Sequence, residues 1–150
     1  MAERFSPATR ALLARAQDAA RRDAVRTSQH GTGLSSNDGT VRPAHVLSVL
    51  RAEPELDRCL QCLAVIAPGR AVVAAAAAPA GERPVPAGSF DRATVRALVA
   101  AAEAAAARGS ATVAPVDVFV GMAQAGVLTG VSRAEIDQAV EMARAGYLPV

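Results

Sequence analysis

Cys59-Leu-Gln-Cys62 is the first constellation with chemical potential, because C-x-x-C spacing serves metal and redox centres alike. A zinc site needs four ligands in tetrahedral geometry, and no second pair lies near in sequence. His30 and His45 would have to be drawn from a loop and from another helix. A thioredoxin-like dithiol needs a strand leading into its helix, and no strand pattern precedes Cys59. The pair is therefore read as core packing or incidental exposure on a helix. His45 stands at the head of an apolar helix and is read as a hydrogen-bonded structural histidine tying that helix to its neighbours. No serine or cysteine sits with a histidine and a carboxylate in a hydrolase signature. Gly31-Thr-Gly33 is an isolated G-x-G. All 16 basic residues are arginine, which removes the P-loop lysine, the Schiff-base lysine and the kinase lysine–glutamate pair. No catalytic residue, cofactor or metal is expected, and the protein is read as a non-enzyme.

The 16 arginines face 14 acidic residues, and the formal charge of +2 is too small to imply nucleic acid. Arg4, Arg10, Arg15, Arg21, Arg22 and Arg26 give the first helix and its flanks a basic cast. That face reads as solvated, with local pairs such as Asp18 and Arg22, or as a surface for an acidic partner. Aromatics make up only 3% of the chain, so stacking platforms for bases are lacking. A helical nucleic-acid-binding regulator is kept as the alternative reading. Hydrophobic residues reach 51%, largely through alanine, which favours helices packed closely through small side chains. No run of about 18 apolar residues exists to cross a membrane. The start, Met1-Ala2-Glu3-Arg4-Phe5, has no apolar leader and reads as a cytoplasmic N-terminus.

The elements that must position these residues come in duplicate. Phe5 to Ala20 aligns without gaps on Phe90 to Ala105, with Phe5/Phe90, Ala8/Ala93, Thr9/Thr94, Leu13/Leu98 and Ala16/Ala101 identical. Val41-Arg-Pro-Ala-His-Val-Leu-Ser-Val-Leu50 then parallels Val113-Ala-Pro-Val-Asp-Val-Phe-Val-Gly-Met122. The offset is 85 at the phenylalanines and 72 at the valines, so the first repeat carries an insertion, Thr27–Thr40. Its glycine, serine and asparagine content reads as a surface loop.

Ser6 caps a helix to about Arg22 with Pro7 in its first turn, and Asp91 caps another to about Arg108. Shorter helices are predicted at Pro43–Arg51, Glu55–Ala64, Pro68–Ala78 and Pro115–Ala123. Ser132 and Glu135 form a capping box for a last helix ending near Gly146. The expected fold class is all-α, one domain over 1–150. Repeat one covers 3–78, a proline-rich linker 79–89 and repeat two 90–146.

These motifs resemble the double Clp repeat at the N-terminus of Clp protein-unfolding ATPases of the ClpC/ClpA type. Glu3-Arg4-Phe5-Ser6 sits near the start as it does there. Arg42-Pro-Ala-His-Val-Leu-Ser-Val-Leu50 stands where the family has Gly-Thr-Glu-His-Leu-Leu-Leu-Gly-Leu. Gly130-Val-Ser132 falls where its second repeat has Gly-Val-Asp. The likeness spans roughly residues 3 to 145. It implies a helical docking module that receives adaptors, client proteins and, in some members, phosphoarginine-marked proteins or cyclic peptides. With no ATPase module after Val150, the chain is expected to act alone, as such proteins do in actinobacteria. The expected role is adaptor, decoy or peptide scavenger beside Clp ATPase and protease components.

The chain departs from the family at several places. The acidic residue before the histidine, which recognises phosphoarginine, is Ala44 in one repeat and Val116 in the other. A neutral side chain cannot replace a bidentate carboxylate partner, which argues against phosphoarginine. The histidine itself is His45 in repeat one and Asp117 in repeat two, and position 2, aromatic in cyclic-peptide binders, is Ala2. Between Met122 and Gly130 repeat two is short of a helix. Phe5 and Phe90 read as anchors where the long helices begin. The resemblance sets them beside a pseudo-twofold groove, with Thr9, Arg10, Thr94 and Val95 on matching faces. These six are the expected partner-binding residues.

Overall fold

The computed structural model describes residues 4–29, 40–69, 72–74 and 90–146. Six helices lie among them: α1 (Pro7–Gln29), α2 (Pro43–Leu50), α3 (Pro54–Ile66), α4 (Arg92–Ala107), α5 (Pro115–Gln124) and α6 (Arg133–Arg144). Two-residue strands β1 (Val73–Ala74) and β2 (Leu128–Thr129) pair antiparallel and are too short to show any alternation. The fold is all-α, as expected.

Proline opens α1, α2, α3 and α5, where its missing N–H removes no intrahelical bond. The caps predicted from sequence form. Ser6 Oγ accepts from the Thr9 N–H at 3.2 Å, Asp91 Oδ1 from the Thr94 N–H at 2.7 Å, and Ser132 and Glu135 exchange both bonds of a capping box.

Each repeat pairs its long helix with the short one after it, α1 on α2 and α4 on α5. The repeats then share a core because α3 crosses over to pack on α6. Leu12, Leu50, Leu56, Val118, Phe119 and Ile136 are fully buried within it. Alanines 97, 101 and 105 line the buried face of α4, and Gly121 of α5 rests against Ala97 and Ala101. The small-side-chain packing expected from composition is concentrated at this contact.

Three expectations are corrected. The α1 helix runs on to Gln29, since no proline or glycine interrupts it before Gly31. Thr27, at the start of the expected loop, is therefore helical, while residues 30–39 lie outside the described residues. The helix expected over Pro68–Ala78 does not form where the chain is described. Gly69 takes a left-handed φ of 80°, and Val73–Ala74 is extended and paired with β2, as suits a β-branched valine. The Arg51 guanidinium holds that segment by donating to the Val72 carbonyl at 2.6 Å. The linker 79–89 and Ala2 lie outside the described residues. In repeat two, Ala125–Ser132 carries β2 and no helix, in keeping with its short length.

Candidate functional site: the junction between repeats

The duplicated residues turn out to be the two halves of one interlock. Phe5 of repeat one makes a parallel bridge to Val113 of repeat two, and Phe90 of repeat two makes one to Val41 of repeat one. The Ser6 N–H donates to the Val113 carbonyl and the Asp91 N–H to the Val41 carbonyl, both at 3.0 Å. Each repeated threonine adds a second donor to the same carbonyl. Thr9 Oγ1 reaches Val113 O at 2.7 Å, and Thr94 Oγ1 reaches Val41 O at 3.1 Å. Both valines are buried, and so are Thr9 and Thr94, at 0% and 1% exposed.

The six expected residues therefore divide by position. Thr9 and Thr94 satisfy buried backbone oxygens across the junction and present nothing to solvent. Phe5 and Phe90 are half-buried, packed against the core at the start of each long helix. Arg10 and Val95, equivalent at the offset of 85, are exposed on the first turns of α1 and α4. The structure thus divides them between two equivalent junctions, each with a buried threonine, a half-buried phenylalanine and one exposed residue.

His45 is 8% exposed, and its surroundings define its hydrogen-bonding form. Its Nδ1 accepts the Arg42 N–H at 3.0 Å, which leaves the Nε2–H to donate to Asp23 Oδ2 at 2.7 Å. The imidazole thereby caps α2 and ties it to α1, a structural role. Asp117 performs the same two tasks in repeat two. Its carboxylate accepts the Ala114 N–H at 2.9 Å and a two-pronged contact from the Arg108 guanidinium, whose Nε lies 3.1 Å from Oδ1. Asp23 and Arg108 are equivalent at the offset of 85, and His45 and Asp117 at 72. The two repeats hold the same joint with opposite polarity. A search for like residues missed this pair. Applying both offsets to charged residues of either sign would have found it.

Cys59 and Cys62 are 1% and 0% exposed and pack within the core on α3, as read from sequence. Burial pushes the Cys59 thiol up to about 11, with Glu55 and Cys62 adding to the rise and Arg144 opposing it. A thiol so protonated is a poor nucleophile at neutral pH. The unfolded chain releases this proton near 9.0, whereas the folded chain holds it to about 11. The resulting stabilisation is complete below pH 9 and is lost as pH rises from 9 to 11. Cys59→Ala is expected to flatten that part of the stability curve, measured by urea unfolding from pH 8 to 11.

Ala44 is exposed and Val116 is buried, so neither position offers a carboxylate to a guanidinium. Val116 lines a cleft of about 210 Å³ between α3, α5 and α6, and a second of about 190 Å³ adjoins it at Val140 and Arg144. Both fall short of the roughly 300 Å³ at which small-molecule pockets begin. Among the described residues, Arg15 pairs with Glu53 and Arg21 with Asp18, so part of the basic face of α1 is internally neutralised. No described helix is long and apolar enough to cross a membrane.

The described residues form an all-α pair of interlocked repeats, with Arg10 and Val95 exposed on the helix turns that follow the two junctions. No family model matches the chain, and no curated protein matches it in sequence. Among solved structures it is similar to the N-terminal domain of the caseinolytic protease associated chaperone ClpD from Arabidopsis thaliana. The identity is 19% with a TM-score of 0.51, covering 96% of this chain and 94% of that one. The chain has the Clp N-terminal-domain fold.

Proposed function

We propose that this protein is a non-enzymatic binding module that acts as adaptor, decoy or peptide scavenger in Clp-dependent proteolysis in the cytoplasm. Its partners are Clp ATPase or protease components, their adaptors or their clients, with small or cyclic peptides as further ligands. The observation that carries this reading is the likeness of nearly the whole chain to a Clp N-terminal domain, joined to the reciprocal Phe/Thr/Val junctions. In this reading Phe5, Arg10, Phe90 and Val95 meet the ligand, while Thr9 and Thr94 hold the two helix starts in register. Binding is an equilibrium contact on a preformed helical surface, with no covalent step.

The test is capture from a cell lysate on the immobilised protein at moderate salt, against a helical protein of matched charge. Clp ATPase or protease subunits are expected to be enriched at least tenfold. The double variant R10E/V95D, altered only at exposed positions, is expected to abolish that enrichment. Recovery of no Clp component, or retention of nucleic acid with steep salt dependence, overturns the proposal.

A further inference from the structure

The α4 helix carries two apolar faces, one buried in the core and the other largely exposed, with only Ala102 of it packed against the core. Thr94, Ala97, Ala101 and Ala105 are buried on the face turned toward α5. A second row, Val95, Val99, Ala102 and Ala106, repeats at i, i+4, i+7 and i+11 on another side of the helix. Val95 and Val99 are 45% and 47% exposed, two of the three large apolar side chains so exposed among the described residues. Ala102 is half-buried and Ala106 exposed. The row extends about 17 Å, three helical turns. Arg92 and Arg96 are exposed beside its N-terminal half, where among the described residues neither makes an ion pair, and Glu103 is exposed beside its C-terminal half. The equivalent valine positions on α1 are Arg10 and Ala14, so repeat one has no such row.

We infer that this row docks an amphipathic helix of a partner protein whose flanking residues are acidic. The inference rests on the module reading above and names the class of partner for its repeat-two side. Apolar residues at this spacing are the anchors by which one helix lies along another. The free arginines at 92 and 96 supply the charge complement, and such charges select partners and speed encounter more than they add affinity. A glutamate on the incoming helix would sit against each arginine while its leucines cover Val95 and Val99. A basic helix of the same apolar pattern meets two like charges and is rejected.

The probe is a pair of 14-residue helical peptides with leucine at the four matching positions, one flanked by glutamates and the other by lysines. Each is titrated by fluorescence anisotropy into the full chain. The glutamate peptide is expected to bind at least tenfold more tightly than the lysine peptide. R92E/R96E should reverse the preference, and V95S/V99S should weaken the glutamate peptide at least tenfold. Circular dichroism of each variant checks that the helices persist, and V99S alone, with a smaller loss, serves if the double variant unfolds. Equal binding of the two peptides, no binding of either, or binding untouched by V95S/V99S overturns the inference. Lysate capture with the same variants separates the two readings. Clp components still held by V95S/V99S leave the module standing and remove the row.

Discussion

Replacing Arg108 with alanine is expected to destabilise the domain by about 3 kcal/mol, read as a drop in the urea unfolding midpoint. The reason lies in the contrast of environments across one contact. Asp117 is 1% exposed, whereas the Arg108 side chain is 34% exposed. Removing the arginine leaves a carboxylate out of water with only the Ala114 N–H to accept. Stranding a buried charge costs about 3–5 kcal/mol, and the lower end applies because water can enter where the guanidinium lay. Asp117→Asn should cost less, since an amide oxygen still caps α5. The double variant R108A/D117N should lose less than the sum of the two singles, because the stranded charge is gone. Additive losses would mean that the two groups do not act as a pair.

Gly121→Ala is expected to lower stability by about 2–3 kcal/mol, although alanine is the better helix former by about 1 kcal/mol. A β-carbon at this position would lie 2.4 Å from the Ala97 carbonyl oxygen and 2.5 and 2.7 Å from the Ala101 nitrogen and α-carbon. These are backbone atoms, so no side-chain rotation can relieve the overlap. The α4 and α5 helices must move apart, and the packing of Phe119 and Met122 goes with them. Because Val113 and Asp117 lie just before and within the first turn of α5, the same movement displaces the junction that receives Phe5 and Thr9. A midpoint that stays level or rises in G121A would show that the helices have room to spare.

Much of the architecture was legible because proline, serine and aspartate mark helix starts by local chemistry, which needs no tertiary information. The duplication was legible too, and its two offsets named both halves of each junction. What the offsets could not supply was direction. Thr9 and Thr94 resemble exposed first-turn residues in sequence. They are buried because each hydroxyl faces a carbonyl from the other repeat, a contact separated by 104 residues in one case and 53 in the other. The polarity swap between His45–Asp23 and Asp117–Arg108 was hidden because pairing chemistry, not residue identity, is what the repeats preserve. The alanine run after Pro68 suggested a helix, yet Val72 and the extended pair with β2 prevailed over propensity where the chain is described. The row on α4 escaped notice beyond Val95 because burial of one apolar face conceals, in sequence, that a second exists.

The reciprocal bridges also govern the order in which the domain can assemble. Phe5 has nothing to close against until Val113 has been synthesised, and Val41 waits for Phe90. A nascent chain that has released only its first repeat can form α1 and α2 locally but has no acceptor for the Thr9 hydroxyl and no donor for the Val41 carbonyl. Closing such a distant contact carries an entropic penalty that local helix formation does not, which places it late and makes it slow. Translation of the second repeat is then the event that commits the first to its native form, so the two halves mature together or not at all.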